Sequence, residues 1–207
     1  MKKTWKIKEY DMVEVQNLID TFKISDILSK LLISRNIKFD EINDFLTPDI
    51  SKLKDPFLLK DMDKFVSRVT KACENKENIC IYGDYDVDGV TSIAIMYMFL
   101  SKLGCNVSFY LPDRLSEGYG LNINAIDEIK QNNVSFIITV DCGITATNEV
   151  EYAKSIGIDI CITDHHECGD IIPDAEAVVN PKQKDDISEF KLHAGVGVAY
   201  YSSWNKI

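Results

Sequence analysis

A chain of 207 residues, 45% hydrophobic and 27% charged, can bury one full core and a smaller satellite, and this composition excludes a disordered or fibrous protein. A formal net charge of −10 excludes a basic protein that coats nucleic acid by neutralising phosphates, so any nucleic-acid contact must be local. The basic Met1-Lys2-Lys3 is followed by Thr4-Trp5-Lys6-Ile7-Lys8-Glu9 where a signal peptide needs an unbroken apolar stretch, and no long apolar run occurs later; a cytoplasmic location away from membranes is expected.

Over residues 11–35 apolar positions recur at helical spacing (Val15, Leu18, Ile19, Phe22, then Ile27, Leu28, Leu31, Leu32), with Ser25 as N-cap between two predicted helices. After the turn-like Leu46-Thr47-Pro48-Asp49 and the Asp55-Pro56 step, Asp61 is expected to cap a helix whose inner face carries Phe65, Val69 and Ala72. These elements form a small helical N-terminal extension over residues 1–75. From about residue 78 the pattern changes. Short apolar runs at Ile79–Tyr82, Val107–Leu111, Phe136–Val140, Ile158–Thr163 and Ala177–Val179 alternate with helical stretches near 91–103, 122–132 and 145–156. The expected fold is α/β, a mostly parallel five-stranded sheet flanked by helices over residues 76–207. Asn180–Glu189 is linker-like and rich in charge, and Ala194-Gly-Val-Gly-Val-Ala-Tyr200 is the start of a tightly packed helix. Six cysteines (Cys73, Cys80, Cys105, Cys142, Cys161, Cys168) include no Cys-x-x-Cys pair and are expected to be reduced core or near-site thiols.

Acidic and imidazole residues follow three of the predicted strands: Asp84, Asp86 and Asp88 after the first, Asp141 after the third, Asp164-His165-His166 after the fourth. In an open parallel sheet these strand ends share one edge, where ligands bind. Gathered carboxylates repel and lose solvation unless a cation compensates, so a metal site is the economical explanation. Oxygen ligands with an imidazole suit Mn²⁺ or Mg²⁺. With Asp86 and Asp88 facing different ions and Asp141 bridging them, two ions would serve in-line attack on phosphorus. Taken singly, Asp84 is a turn or helix cap, and the His165-His166 pair is divided evenly between surface and site. It is the three clusters in register that argue for a site.

Glycines Gly83, Gly89, Gly143, Gly118 and Gly120 punctuate these loops, either closing tight turns or letting backbone approach a ligand. In the loop Arg114-Leu-Ser-Glu-Gly118-Tyr119-Gly, Arg114 is equally a phosphate-binding group or a solvated arginine, Glu117 adds an acid, and Tyr119 offers a ring on which a base could stack. Thr91 and Ser92 are placed at the start of the helix after the acidic loop; they cap it or help its N-terminus hold a phosphate, capping being preferred. Cys142 is a packed thiol rather than a nucleophile.

Four ordered stretches, Tyr82-Gly-Asp-Tyr-Asp-Val-Asp-Gly-Val-Thr-Ser, Leu111-Pro-Asp-Arg-Leu-Ser-Glu-Gly-Tyr-Gly-Leu, Thr139-Val-Asp-Cys-Gly-Ile and Thr163-Asp-His-His-Glu, resemble successive motifs of the RecJ-like branch of the Asp-His-His (DHH) phosphoesterase family. Val179-Asn-Pro-Lys and the Ala-Gly-Val-Gly-Val-Ala run continue the resemblance, which spans roughly residues 40–200. It implies a 5′-to-3′ exonuclease acting on single-stranded DNA with Mn²⁺ or Mg²⁺ in recombination and repair, with single-strand-binding protein or other repair proteins as partners. It further implies that Asp86 holds one metal, Asp88 and His165 the second, and Asp141 both. His166 would contact the scissile phosphate and Asp164 orient the imidazoles.

The chain departs from the family pattern in two places. Tyr82 stands where many members of the wider superfamily have a histidine ligand, with Asp84 as the expected substitute. The family also supplies a further aspartate beyond the Gly-Val-Gly-Val-Ala helix, a second core domain and an oligonucleotide-binding fold, so the chain is expected to be incomplete at its C-terminus. The competing readings are a phosphodiesterase for dinucleotides or short oligonucleotides and an inactive DNA-binding scaffold.

Overall fold

A computed structural model describes residues 6, 8–113, 118 and 120–203. The chain forms two compact units, residues 1–53 and 54–207. In the first, helices α1 (Met12–Phe22), α2 (Asp26–Ser34) and α3 (Ile42–Leu46) gather Leu18, Leu32 and Ile42 into a small core. Asp11 caps α1 through the Val13 N–H at 2.8 Å, and Ser25 caps α2 through the Leu28 N–H, the role its position in the sequence predicts.

The second unit contains α4 (Met62–Glu74), β1 (Asn78–Gly83), α5 (Val87–Lys102), β2 (Asn106–Tyr110), α6 (Ile123–Gln131), β3 (Phe136–Val140), α7 (Thr147–Ser155), β4 (Asp159–Thr163), β5 (Ala177–Val179) and α8 (Gly195–Ser202). All five strands are parallel, in the order β2-β1-β3-β4-β5. Alternate residues serve opposite faces. Ile79, Ile81, Phe136, Ile138 and Val140 pack with residues of α4, α5 and α8, while Cys80, Tyr82, Ile137, Ile160 and Ile162 pack with residues of α6 and α7. Burial on both faces explains why the central strands are continuous apolar runs rather than alternating ones.

The boundary between the units lies earlier in the chain than expected. Helix α4, assigned by sequence to the leading extension, belongs to the second unit, because Met62, Phe65, Val69 and Ala72 enter the core with β1 and β3. Asp61 lies at its N-cap position in the left-handed region (φ 60°) without a side-chain cap; its carboxylate instead accepts from the Val178 N–H of β5 at 3.3 Å and pairs with Lys64. Within α4, the buried Arg68 binds Glu77 at 2.7 Å and Asp159 at 2.8 Å, with its guanidinium 4.1 Å from the Phe136 ring centre.

Two further expectations are corrected. Asn180–Glu189 is a packed segment rather than a linker: Asn180, Gln183, Asp186 and Ser188 are buried, and Asp186 accepts from the Lys60 N–H at 2.8 Å and pairs with Lys191. Cys73 and Cys105 are joined in a disulfide with Cα atoms 5.0 Å apart, so these two are not reduced thiols; the other four are. Cys73 lies in the last turn of α4 and Cys105 precedes β2, a proximity that only the fold creates. No helix among the described residues is long and apolar enough to cross a membrane.

Candidate metal centre

The crossover from β1 runs to β2 on one side, and the next, from β2, passes back over β1 to β3 on its other side. This reversal opens a crevice at the carboxyl edge of the sheet. The loop after β1 enters the crevice with Asp84, which is buried and accepts the Tyr85 N–H at 2.7 Å. Asp86 is the N-cap of α5, its Oδ1 accepting from the N–H groups of Asp88 (2.8 Å) and Gly89 (2.9 Å). Gly89 is sterically required, since a Cβ there would lie 2.3 Å from the Asp84 carbonyl oxygen.

Because α5 starts at Val87, Thr91 and Ser92 fall in its second turn and not at its N-terminus. Their hydroxyls donate back to the carbonyls of Val87 (2.6 Å) and Asp88 (2.7 Å), and Ser92 is fully buried. Neither is placed as a cap or a phosphate ligand, which corrects the expectation for Ser92; the cap is Asp86. Asp88 has a role the sequence did not show. Its carboxylate accepts from Gly195 N–H at 2.8 Å and Val196 N–H at 2.7 Å, satisfying first-turn donors of α8, while its Oδ2 stays 3.6 Å from His165 Nε2.

Asp141, directly after β3, adopts a left-handed backbone (φ 59°) that few residues other than glycine take up. Two hydroxyls hold this turn: Thr139 donates to the Cys142 carbonyl and Thr163 to the Thr139 carbonyl, each at 2.8 Å, and the Asp141 N–H donates to the Thr163 carbonyl. The Asp141 side chain is 2% exposed. Burial, reinforced by the charges of Asp88 and Asp86, pushes its carboxyl up to about 7 against the partial opposition of His166. His165 Nε2 lies 3.1 Å from Asp141 Oδ1 but off the hydrogen-bond direction, so this buried oxygen has no hydrogen-bond partner among the described residues.

Asp164 is buried yet held below the usual carboxylate range. Burial alone would raise it, but the His166 imidazole and the N–H groups of Ile144 and His166 outweigh that. Its Oδ1 meets His166 Nδ1 at 2.8 Å and the N–H groups of His165 and His166, and its Oδ2 accepts from Ile144. The carboxylate therefore orients one imidazole, that of His166, rather than both. The Asp164 hydrogen bond raises His166 above the ordinary histidine value against the effect of burial.

Two ligand groups result. Asp84, Asp86 and Asp141 each offer an oxygen within 4.8 Å of the others, and Asp141, His165 and His166 do the same, so Asp141 belongs to both. The orphaned Asp141 oxygen and the mixed carboxylate–imidazole donors fit a divalent cation of the Mn²⁺ or Mg²⁺ type. Tyr82 joins neither group through its ring: it is buried against Tyr110, and its hydroxyl donates to the Gly120 carbonyl at 2.8 Å. Cys142 is fully buried with its thiol raised well above its ordinary value by burial, so it is no nucleophile. Arg114, Glu117 and Tyr119 lie outside the described residues, and Gly118 is described only as a left-handed loop residue (φ 82°).

Sequence reasoning missed Gly195, whose absent side chain makes room for the centre: a Cβ would stand 2.3 Å from Asp141 Oδ1. The glycine-rich run was visible, but which aspartate it would meet was not. Asn180, fully buried at the end of β5, was also missed.

Comparison with known proteins finds relatives in sequence and in fold. The single-stranded-DNA-specific exonuclease RecJ of Bacillus subtilis strain 168 is 44% identical over 202 residues, covering 96% of this chain and 25% of that protein. A crystal structure of exonuclease RecJ bound to manganese superposes with a TM-score of 0.65 at 34% identity, covering 70% of this chain and 37% of the other. RecJ of Thermus thermophilus in complex with Mn²⁺ superposes with a TM-score of 0.70 at 25% identity, covering 96% and 27%. The chain thus spans about a quarter of the length of the curated relatives it matches. Residues 78–206, the whole of the sheet and α8, match the model of the DHH family N-terminal domain, and the chain belongs to that family.

Proposed function

We propose that this chain carries the catalytic centre of a single-stranded-DNA-specific exonuclease, a metal-dependent phosphodiesterase working 5′ to 3′ in cytoplasmic DNA repair and recombination. The observation that carries the reading is the sharing of Asp141, with its unpartnered buried oxygen, between two ligand groups at the carboxyl edge of the sheet. Asp84, Asp86 and Asp141 would hold one ion, and Asp141 with His165 and the adjacent Asp88 the other. Mn²⁺ or Mg²⁺ bound there supplies a nucleophilic water at neutral pH and charge stabilisation at phosphorus.

The chain's own residues do the remainder. Asp164 fixes Nδ1 of His166, so the substrate-facing nitrogen is Nε2, and the raised affinity of this imidazole for a proton favours donation to a phosphate oxygen. The amide groups of α8 hold Asp88, and the threonine-pinned turn holds Asp141, so the carboxylates meet a ligand without first reorganising. Single-strand-binding protein and other repair proteins are the partners consistent with such an activity.

The test is a calorimetric Mn²⁺ titration of the protein and of Asp141→Ala, with both assayed on single strands labelled at either end. Tight binding lost in the variant, with early release of the 5′ label, is expected. Binding without cleavage would leave a scaffold, and preferential turnover of a dinucleotide over a long strand would replace the exonuclease with a dinucleotide phosphodiesterase.

A further inference from the structure

The Val179-Asn180-Pro181-Lys182 segment resembles the family but takes no part in the centre described above. Asn180 is 0% exposed and uses both ends of its amide: Nδ2 donates to the His166 carbonyl at 3.0 Å, and Oδ1 accepts the Lys182 N–H at 2.8 Å. One buried side chain therefore fixes the Asp164–His166 loop and the Lys182 backbone against each other. The Lys182 ammonium lies 2.9 Å from Glu167 Oε1, the residue next to His166. The lysine side chain is only 23% exposed, whereas Glu167 is 85% exposed. The cation is thus held against the protein and its partner stands in solvent, where an ion pair is worth little and is readily exchanged. The ammonium is close enough for its charge to act on both His166 and Cys168. Asp84, Asp86 and Asp141 gather at the carboxyl edge, with Asp141 also grouped with His166, so an approaching polyanion needs a fixed cation near that cluster.

We propose that Lys182 is a substrate-binding residue, its ammonium taking a backbone phosphate of the single strand beside His166 in exchange for the Glu167 carboxylate. Asn180 is the positioning residue that sets it there. This inference rests on the nuclease reading for the identity of the strand, but its geometry is independent of cleavage.

The experiment compares the wild-type chain with Lys182→Gln, Lys182→Arg and Glu167→Gln. Turnover is measured in Mn²⁺, and binding of a fluorescein-labelled oligothymidylate is followed by anisotropy in Ca²⁺ across a salt series. Lys182→Gln should raise KM about tenfold, the loss of one charge-assisted contact, with the effect falling on KM rather than kcat. It should also lower the slope of log affinity against log salt by about 0.7, the value for one phosphate contact on a single strand. Lys182→Arg should restore most of both, and Glu167→Gln should tighten binding. Unchanged Mn²⁺ calorimetry in Lys182→Gln shows that the fold and the centre are intact. A Lys182→Gln variant with wild-type KM and salt slope overturns the proposal, as does a wild-type chain that fails to bind the oligonucleotide. If the wild type binds but does not cleave, the nuclease reading falls, and the salt slope still decides the role of Lys182.

Discussion

Replacing Gly195 by alanine tests whether α8 and the carboxylate cluster are one structure. The new Cβ would stand 2.3 Å from Asp141 Oδ1 and 2.6 Å from its Cγ, where an ordinary contact is 3.4–4 Å, so either Asp141 or the helix must retreat by about 1 Å. A retreat of the helix stretches the 2.8 and 2.7 Å bonds from Gly195 and Val196 to Asp88; a retreat of Asp141 moves the residue shared by both ligand groups. Overpacking of this kind costs about 1–3 kcal/mol, and each hydrogen bond to a carboxylate about 1.5–3 kcal/mol. Partial loss of these should lower stability by about 2–4 kcal/mol and Mn²⁺ affinity by at least about tenfold. Gly197→Ala is the control in the same helix: the three atoms nearest its Cβ all belong to His193, none closer than 3.4 Å, and alanine is the better helix former by up to about 1 kcal/mol. Urea denaturation and Mn²⁺ calorimetry of the two variants would separate them. If Gly195→Ala matches Gly197→Ala in both midpoint and metal affinity, α8 and the carboxylates are not coupled.

Without divalent cations, the fold binds a proton on Asp141 more tightly than the unfolded chain does, because burial and the charges of Asp88 and Asp86 lift its carboxyl from 3.8 to about 7. Its contribution to stability should therefore be lost as pH rises through that window, by on the order of 4 kcal/mol. Denaturation midpoints at about pH 5 and about pH 8 should converge in Asp141→Asn, and equal slopes in both proteins would count against the assignment. Arg68→Met should cost about 2–4 kcal/mol, chiefly by leaving the half-buried Glu77 carboxylate unpaired while the more exposed Asp159 turns to solvent, with part recovered in the double variant with Glu77→Gln. A loss below about 1 kcal/mol would show the pair to be solvated. Asp164→Asn weakens the hydrogen bond, and removes the charge, that raise His166, so the alkaline limb of the pH–turnover profile should move to lower pH. An unmoved limb would take the imidazolium out of the reaction.

Every strand and most helices of the second unit were legible because the signals were local: apolar runs of strand length, caps, and carboxylates directly after them. What the sequence hid was long-range pairing. Ser92 looked like a helix start because the sequence does not reveal that Asp86, earlier in the loop, becomes the cap. Helix α4 was assigned to the extension because its amphipathic face does not say which sheet it covers. Cys73 and Cys105 carry no spacing signal, since they lie 32 positions apart with β1 and α5 between them. The charged stretch after Asn180 looked solvated because its partners, Lys60 above all, lie far back in the chain. The candidate ligand residues were legible because each lies at or just after a strand end, whereas Gly195 and Asn180 pack beside them from elements whose placement only the fold gives.

The two hydrogen bonds between Asp88 and the start of α8 join residues separated by 107 and 108 positions. For a cation held at the proposed centre with Asp88, they would make affinity and global stability two readings of one free energy. Whatever fixes Asp88 also fastens the end of the α/β unit, and a ligand that binds only the folded arrangement raises stability by about 1.4 kcal/mol for each tenfold excess over its dissociation constant. A change remote from the carboxylates that loosens α8 should therefore appear first as weaker metal uptake. Conversely, supplying the ion should rescue variants whose only fault is a weakened second unit.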